Sequence, residues 1–150
     1  MCKLTIELVP QSTWKQNLRS LVSKSDWDKL RRHCYKEAEY RCEVCGGVGS
    51  KHPAECHEIW SFDDEKKIQT LTGLVALCPS CHLVKHIGFA GVSGKREIAF
   101  QQLCDVNGWT ENEADDYIVE CFNIWNTRSQ DHWLLDIKWA SDKLKEISDE

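Results

Sequence analysis

From Leu4 to Val9 the chain runs Leu-Thr-Ile-Glu-Leu-Val, apolar positions alternating with polar ones, and Pro10 ends the run; this predicts a short strand. Ser25 is placed as the N-cap of a helix. Along it Trp27, Leu30 and Cys34 share one face, and Arg31-Arg32-His33 form a basic run. Ala54 to Trp60 and Thr70 to Leu77 read as two strands joined by the polar stretch Ser61 to Lys67. Cys78-Pro79-Ser80-Cys81-His82 opens a second helix, with Pro79 in its first turn and Gly88 as its stop. Lys95 to Asp105 reads as a helix ended at Asn107-Gly108. Thr110 and Glu113 make a capping box for another helix, running to about Thr127. Trp133 to Ile137 is expected to be a strand paired with the N-terminal one, and residues 140–150 a frayed helix or tail.

The pattern is of the α+β class. A length of 150 residues fits one domain, and 41% hydrophobic residues with seven Trp argue for a packed core. No run approaches the roughly 18 apolar residues of a membrane span. The first residues lack the apolar stretch and cleavage site of a signal peptide, so the expectation is a cytoplasmic protein without a membrane partner.

Charge sharpens this picture. The net value of -5 is awkward for a DNA-binding protein, but it is unevenly spread. Residues 1–45 carry nine basic against six acidic side chains, residues 46–96 six against five, and residues 97–150 four against thirteen. Phosphate affinity is local, so the first two-thirds can still meet DNA. The acidic third reads as a solvated surface or as a docking surface for a protein partner.

Nine cysteines are many for a cytoplasmic chain, where thiolates more often hold metal than form disulfides. Cys42-x-x-Cys45 and Cys78-x-x-Cys81 are separated by 32 residues, with Gly46-Gly47 behind the first pair. A two-residue spacer lets two thiolates from one tight turn reach a single ion, so these four are the candidate structural zinc ligands. Cys34, Cys104 and Cys121 read as core packing, and Cys2 and Cys56 stand apart from the pairs. His82 and His86 lie four apart on one helix face, and His57 sits on the preceding strand where a hairpin would bring it opposite His82. These three are candidate ligands of a second divalent metal. His33, His52 and His132 read as surface or hydrogen-bonded residues.

Cys42-x-x-Cys45, His57-Glu58-Ile59 and Leu74-Val75-Ala76-Leu77-Cys78-Pro79-Ser80-Cys81-His82 with Lys85-His86 resemble the zinc-knuckle branch of the HNH endonucleases. The resemblance covers residues 40–88, and the helix histidines four apart are also similar to those of the colicin DNases. It implies a ββα-metal core over 40–88, flanked by helical segments 11–39 and 95–139. It further implies one catalytic divalent metal (Mg, Mn, Ni or Zn), a separate structural zinc, and hydrolysis of DNA phosphodiester bonds. If Ile59 sets the register, His57 binds metal with His82 and His86, and Glu58 takes the place of the general base. Slid by one residue, His57 becomes the base and Cys56 the ligand. The position of the family's orienting asparagine, nine residues before His82, is Gly73. Candidate DNA contacts are Lys29, Arg31, Arg32, Lys36, Arg41 and Lys85, for which the alternative is a solvated helix face. Two further readings stand beside the nuclease. One is a catalytically degenerate DNA- or protein-binding module on the same scaffold. The other is a zinc-only domain in which His57 or His82 replaces a cysteine.

Overall fold

The computed structural model describes residues 3–49 and 54–148; Cys2 and His52 lie outside them. In chain order the elements are a 3-10 turn at Gln11–Thr13, α1 (Leu18–Leu21), α2 (Lys24–Glu37), β1 (Glu55–Asp63), β2 (Ile68–Leu77), α3 (Pro79–Lys85) and α4 (Ile87–Val92). Then come α5 (Arg96–Asn107), α6 (Glu111–Arg128), β3 (Leu134–Asp136) and α7 (Lys138–Ser148). Among the described residues this is an α+β fold, seven helices around a three-stranded mixed sheet of order β1-β2-β3.

The hairpin β1–β2 is the centre, and strand alternation assigns each of its faces to a different layer. On one face Leu77 and Val75 join Val84, Ile87, Leu103 and Ile118 in a core shared with α3 to α6. On the other, Trp60 and Leu71 pack with Leu18, Leu30 and Ala140 from α1, α2 and α7. The strands run further than their alternation suggested. Phe62 packs on the second core, and the reversal is confined to 64–67, where the Asp63 side chain accepts the Glu65 and Lys66 N–H groups. Lys67 closes the turn at φ 58°.

Several expectations are corrected. Leu4 to Val9 is extended but joins no sheet. Leu4 and Ile6 are buried as the alternation requires, but the backbone is held by side chains of the helical layer. Asn107 Oδ1 accepts the Lys3 and Leu4 N–H groups at 2.7 and 2.9 Å, the Tyr117 hydroxyl accepts Ile6 N–H at 3.1 Å, and Trp125 Nε1 donates to Val9 O at 2.8 Å. The C-terminal strand β3 accordingly pairs with β2, in parallel. The N-cap of α2 is Ser23, whose hydroxyl accepts Asp26 N–H, and not Ser25. Gly88 does not end a helix: α3 stops at Lys85, the backbone bends at His86 (φ -109°, ψ 45°), and Gly88 lies within α4. Of the helix or tail expected at the C-terminal end it is the helix that forms, α7 over 138–148, because Ala140, Leu144 and Ile147 cover the second core. The capping box of Thr110 with Glu113 forms and α5 ends at Asn107-Gly108 as the sequence predicts, and Gly108 takes a left-handed backbone (φ 66°) there. Cys34 and Cys104 are buried, and Cys121 packs against the first core. No described helix is long and apolar enough to cross a membrane.

Leu30 sits under α7 and the hairpin with 1% of its surface exposed. Leu30→Ala should lower stability by about 2–5 kcal/mol in chemical denaturation. Val119→Ala, at a position 59% exposed, should change it by less than about 0.5 kcal/mol. Equal effects would contradict the packing.

Candidate metal centre

Among the described residues two groups of side chains could hold a metal ion, one of four cysteines and one of three histidines. Residues 42–47 make a tight knuckle in which Gly46 N–H bonds Cys42 O at 3.0 Å, and Gly46 takes the φ of 76° that this reversal needs. Backbone amides then point at sulfur. Cys45 N–H approaches Cys42 Sγ at 3.4 Å, Gly47 N–H approaches Cys45 Sγ at 3.4 Å, and Cys81 N–H approaches Cys78 Sγ at 3.5 Å. The side chain of Gln102, on α5, donates to Cys81 Sγ at 3.2 Å. Cys78 serves both as a ligand candidate and as the N-cap of α3, with Pro79 following it. The four sulfurs lie within 4.8 Å of one another, and Cys45 and Cys78 are 3.6 Å apart. A tetrahedron with Zn–S bonds of about 2.3 Å has S···S edges of about 3.8 Å, so the group can hold a zinc ion. Burial raises the Cys78 and Cys81 thiols. At Cys42 burial is outweighed by backbone hydrogen bonds from Cys45, Cys78 and Val44, which bring it down to about 7.

The histidines converge because β1 and α3 cross. His57 is on the face of β1 that looks towards α3, opposite Val75, and is 3% exposed. His82 and His86 come from the last turn of α3 and its end. The three ring centroids lie 4.8 to 5.3 Å apart with planes inclined by 69° to 74°, so the rings meet by their edges and do not stack. Glu7, from the N-terminal segment, stands 3.2 Å from His57 Nε2. With that N–H donated to Glu7, the Nδ1 lone pair is bare, buried and without a hydrogen-bond partner. Glu55 accepts from His82 Nδ1, which leaves His82 Nε2 facing His86 Nε2 at 3.1 Å. Two ring nitrogens at that distance need a proton or a cation between them. A metal about 2.1 Å from each would hold them about 3.0 to 3.4 Å apart. Three nitrogens, two with a carboxylate behind the ring, therefore fit a divalent metal with its customary outer partners.

Burial governs the electrostatics here. It pushes Glu7 up to about 7, against the opposing Lys85 charge and a backbone hydrogen bond at Trp60. It brings His57 down to about 3 and, where the ring packs among the other two on an otherwise exposed residue, His86 down to about 4, both helped by the neighbouring histidines. Both rings are thus neutral at pH 7, the form that binds metal.

The other candidates fall elsewhere. Glu58, adjacent to His57, is on the opposite face of β1, where its carboxylate accepts Leu18 N–H at 2.8 Å, although its charge is still felt at His57. Cys56 shares that far face, and its thiol is pushed up by a hydrogen bond with Cys34 and by burial. The slid register, with Cys56 as ligand, is therefore not brought together, and neither is a mixed cysteine–histidine zinc site. His33 lies 3.9 Å from Glu37, and His132 is exposed. Of the basic residues, Arg31 shares a cleft of about 790 Å³ with His82. Lys29, Arg32 and Lys36 are exposed on a neighbouring stripe of α2. Arg41 braces the knuckle through Gly46 O at 3.4 Å, and Lys85 donates to Thr5 Oγ1 at 2.6 Å. Sequence reasoning missed Glu7, Glu55, Gln102, Arg19 and Lys24. Glu55 was within reach, being two residues before His57 and so on its face. Compared with protein-family models, curated proteins and solved structures, the chain matches none of them.

Protein purified without added metal should carry about one zinc per chain by elemental analysis, and Cys42→Ser should lose both zinc and the fold. Unchanged thermal melting after chelation would overturn this.

Stability should also depend on pH when the histidines are free of metal. Their folded values of about 3 and 4 lie below the ordinary 6.5, so their contribution is present above pH 6.5 and is lost as pH falls through that window. Glu7 acts in reverse, favouring the fold at low pH and losing that contribution as pH rises from 4.5 to about 7. Two histidines outweigh one carboxylate. The urea midpoint should fall on acidification from pH 6.5 to about 4, and Glu7→Gln should make the fall steeper.

Proposed function

We propose that the protein is a metal-dependent endonuclease of the HNH, ββα-metal kind, hydrolysing DNA phosphodiester bonds beside a structural zinc held by Cys42, Cys45, Cys78 and Cys81. The observation that supports this reading is the three-histidine group formed by a hairpin strand and the helix after it, with Glu7 and Glu55 behind two of its rings. His57 offers Nδ1, and His82 and His86 offer Nε2. Mg, Mn, Ni or Zn bound there would supply a Lewis acid that offsets charge on the phosphate and the departing oxygen. Glu7 and Glu55 fix the ring orientations, so that the nitrogens meet an ion without rearrangement. Arg31, in the cleft beside His82, is the basic residue best placed to draw a phosphate in.

Glu58 is the weak point of the family register, since its carboxylate is occupied by Leu18 N–H on the other side of the strand. Gly73 likewise offers no side chain for orienting a base. These two observations favour a second reading, a module that binds DNA or a protein partner through the same scaffold without cutting. Gly73 has room for a larger residue, because an added Cβ would meet only Ile59 Cδ1 at 3.6 Å.

Plasmid nicking with each of the four ions tests the first reading. His57→Ala and His82→Ala should abolish cleavage while zinc content and the circular dichroism spectrum stay unchanged. Glu58→Gln should alter the rate less than about tenfold, whereas a loss of about 10² to 10⁴ would restore it as the general base. A parent that nicks with none of the four ions yet still binds labelled DNA or a protein partner would establish the second reading.

A further inference from the structure

The cleft of about 790 Å³ that opens beside His82 has a lining that the endonuclease reading does not explain. One wall is the stripe Lys24, Trp27, Asp28, Arg31 and Tyr35 of α2, and Arg19 and Tyr40 extend it. Its size is within the range of small-molecule and cofactor sites, about 300–1,000 Å³. The charges are already sorted. Asp28 is taken up by Arg31 at 2.9 Å and by Lys24 at 3.3 Å, and Glu55 by His82. Arg19 has no hydrogen-bond or ion-pair partner among the described residues.

Tyr40 is the unusual element. Both Glu39 and Tyr40 take left-handed backbone angles, φ 55° and 60°, which residues with side chains of this size rarely adopt. Tyr40 N–H is pinned to Tyr35 O at 2.9 Å, yet the side chain is left 55% exposed at the cleft. Trp27 and Tyr35 stand half-buried in the same lining. Aromatic faces next to guanidinium and ammonium groups suit a nucleic-acid base whose own faces are open. In a continuous duplex those faces are covered by neighbouring bases. A chain of net charge -5 is also poorly made for a broad grip on duplex phosphates and must rely on a few local contacts.

We infer that this cleft seats an unpaired nucleotide, its base against Tyr40 and its phosphates near Arg19, Lys24 and Arg31, so that the substrate class is single-stranded nucleic acid. This rests on the nuclease reading for its purpose, but it is tested without cleavage. Fluorescence anisotropy with no added divalent metal would compare labelled oligo-dT, oligo-U and a DNA duplex of the same length. The expected result is tighter binding of single strands than of the duplex, and the two single strands separate DNA from RNA preference. Tyr40→Phe should bind as the parent does, and Tyr40→Asn about tenfold more weakly. Asparagine tolerates the left-handed backbone, so Tyr40→Asn should keep its melting temperature. Arg19→Ala should reduce the slope of log affinity against log salt by about 0.7, one single-strand phosphate contact. Equal affinity for the duplex, or an unchanged Tyr40→Asn, would overturn the inference even if plasmid is nicked. Single-strand binding that depends on Tyr40 in a protein that nicks nothing would uphold it and sink the nuclease reading.

Discussion

Four sulfurs have to meet at one point, and the rest of the site depends on how that is done. Cys42 and Cys45 come from a knuckle after α2, and Cys78 and Cys81 from the first turn of α3. Cys81 and His82 are neighbours in that turn, about 100° apart around the helix axis. Whatever fixes the sulfurs therefore also fixes where His82 points. One short helix, too short to be stable alone, serves both groups because its start is tied to the knuckle and its buried Val84 is set in the core.

The hairpin supplies the other half of the constraint. Period-two alternation sends His57 towards α3 and sends Cys56, Glu58 and Trp60 into the opposite layer. Residues 57 and 58 cannot both look at one ion while this stretch of strand stays regular. The bulge opposite Ile59 and Trp60 puts its extra residue, Thr72, on β2, so β1 alternates without a break and Glu58 stays turned away. That is why the three histidines assemble while Glu58 faces Leu18.

Much of this was legible in the sequence, and the reasons are local. The paired cysteines, the helix histidines four apart, the capping box of α6 and the Asn107-Gly108 stop of α5 depend on residues within a turn of each other. What was not legible depends on partners far along the chain. Leu4 to Val9 has the alternation of a strand, but Asn107, Tyr117 and Trp125 hold it. Residues 138–148 pattern as a frayed helix or tail until Leu30 and Trp60 are placed beneath them. Glu7 is the clearest instance. Nothing near it in sequence signals a site, and its role comes from His57 fifty positions later.

The tethering of the N-terminal segment sets an order of events as the chain is made. Glu7 is synthesised early, yet it is held against His57 by residues 3–9, whose backbone is anchored by side chains from α5 and α6. Until Asn107 and Tyr117 have left the ribosome and folded, Lys85 ties this segment down, its carbonyl accepting Glu7 N–H at 3.3 Å and its ammonium donating to Thr5 Oγ1 at 2.6 Å. The cysteine knuckle and the hairpin can form when residue 85 is out. The other anchors of the segment arrive only with α5 and α6, so Glu7 is fully held behind the His57 ring after the knuckle and the hairpin have formed.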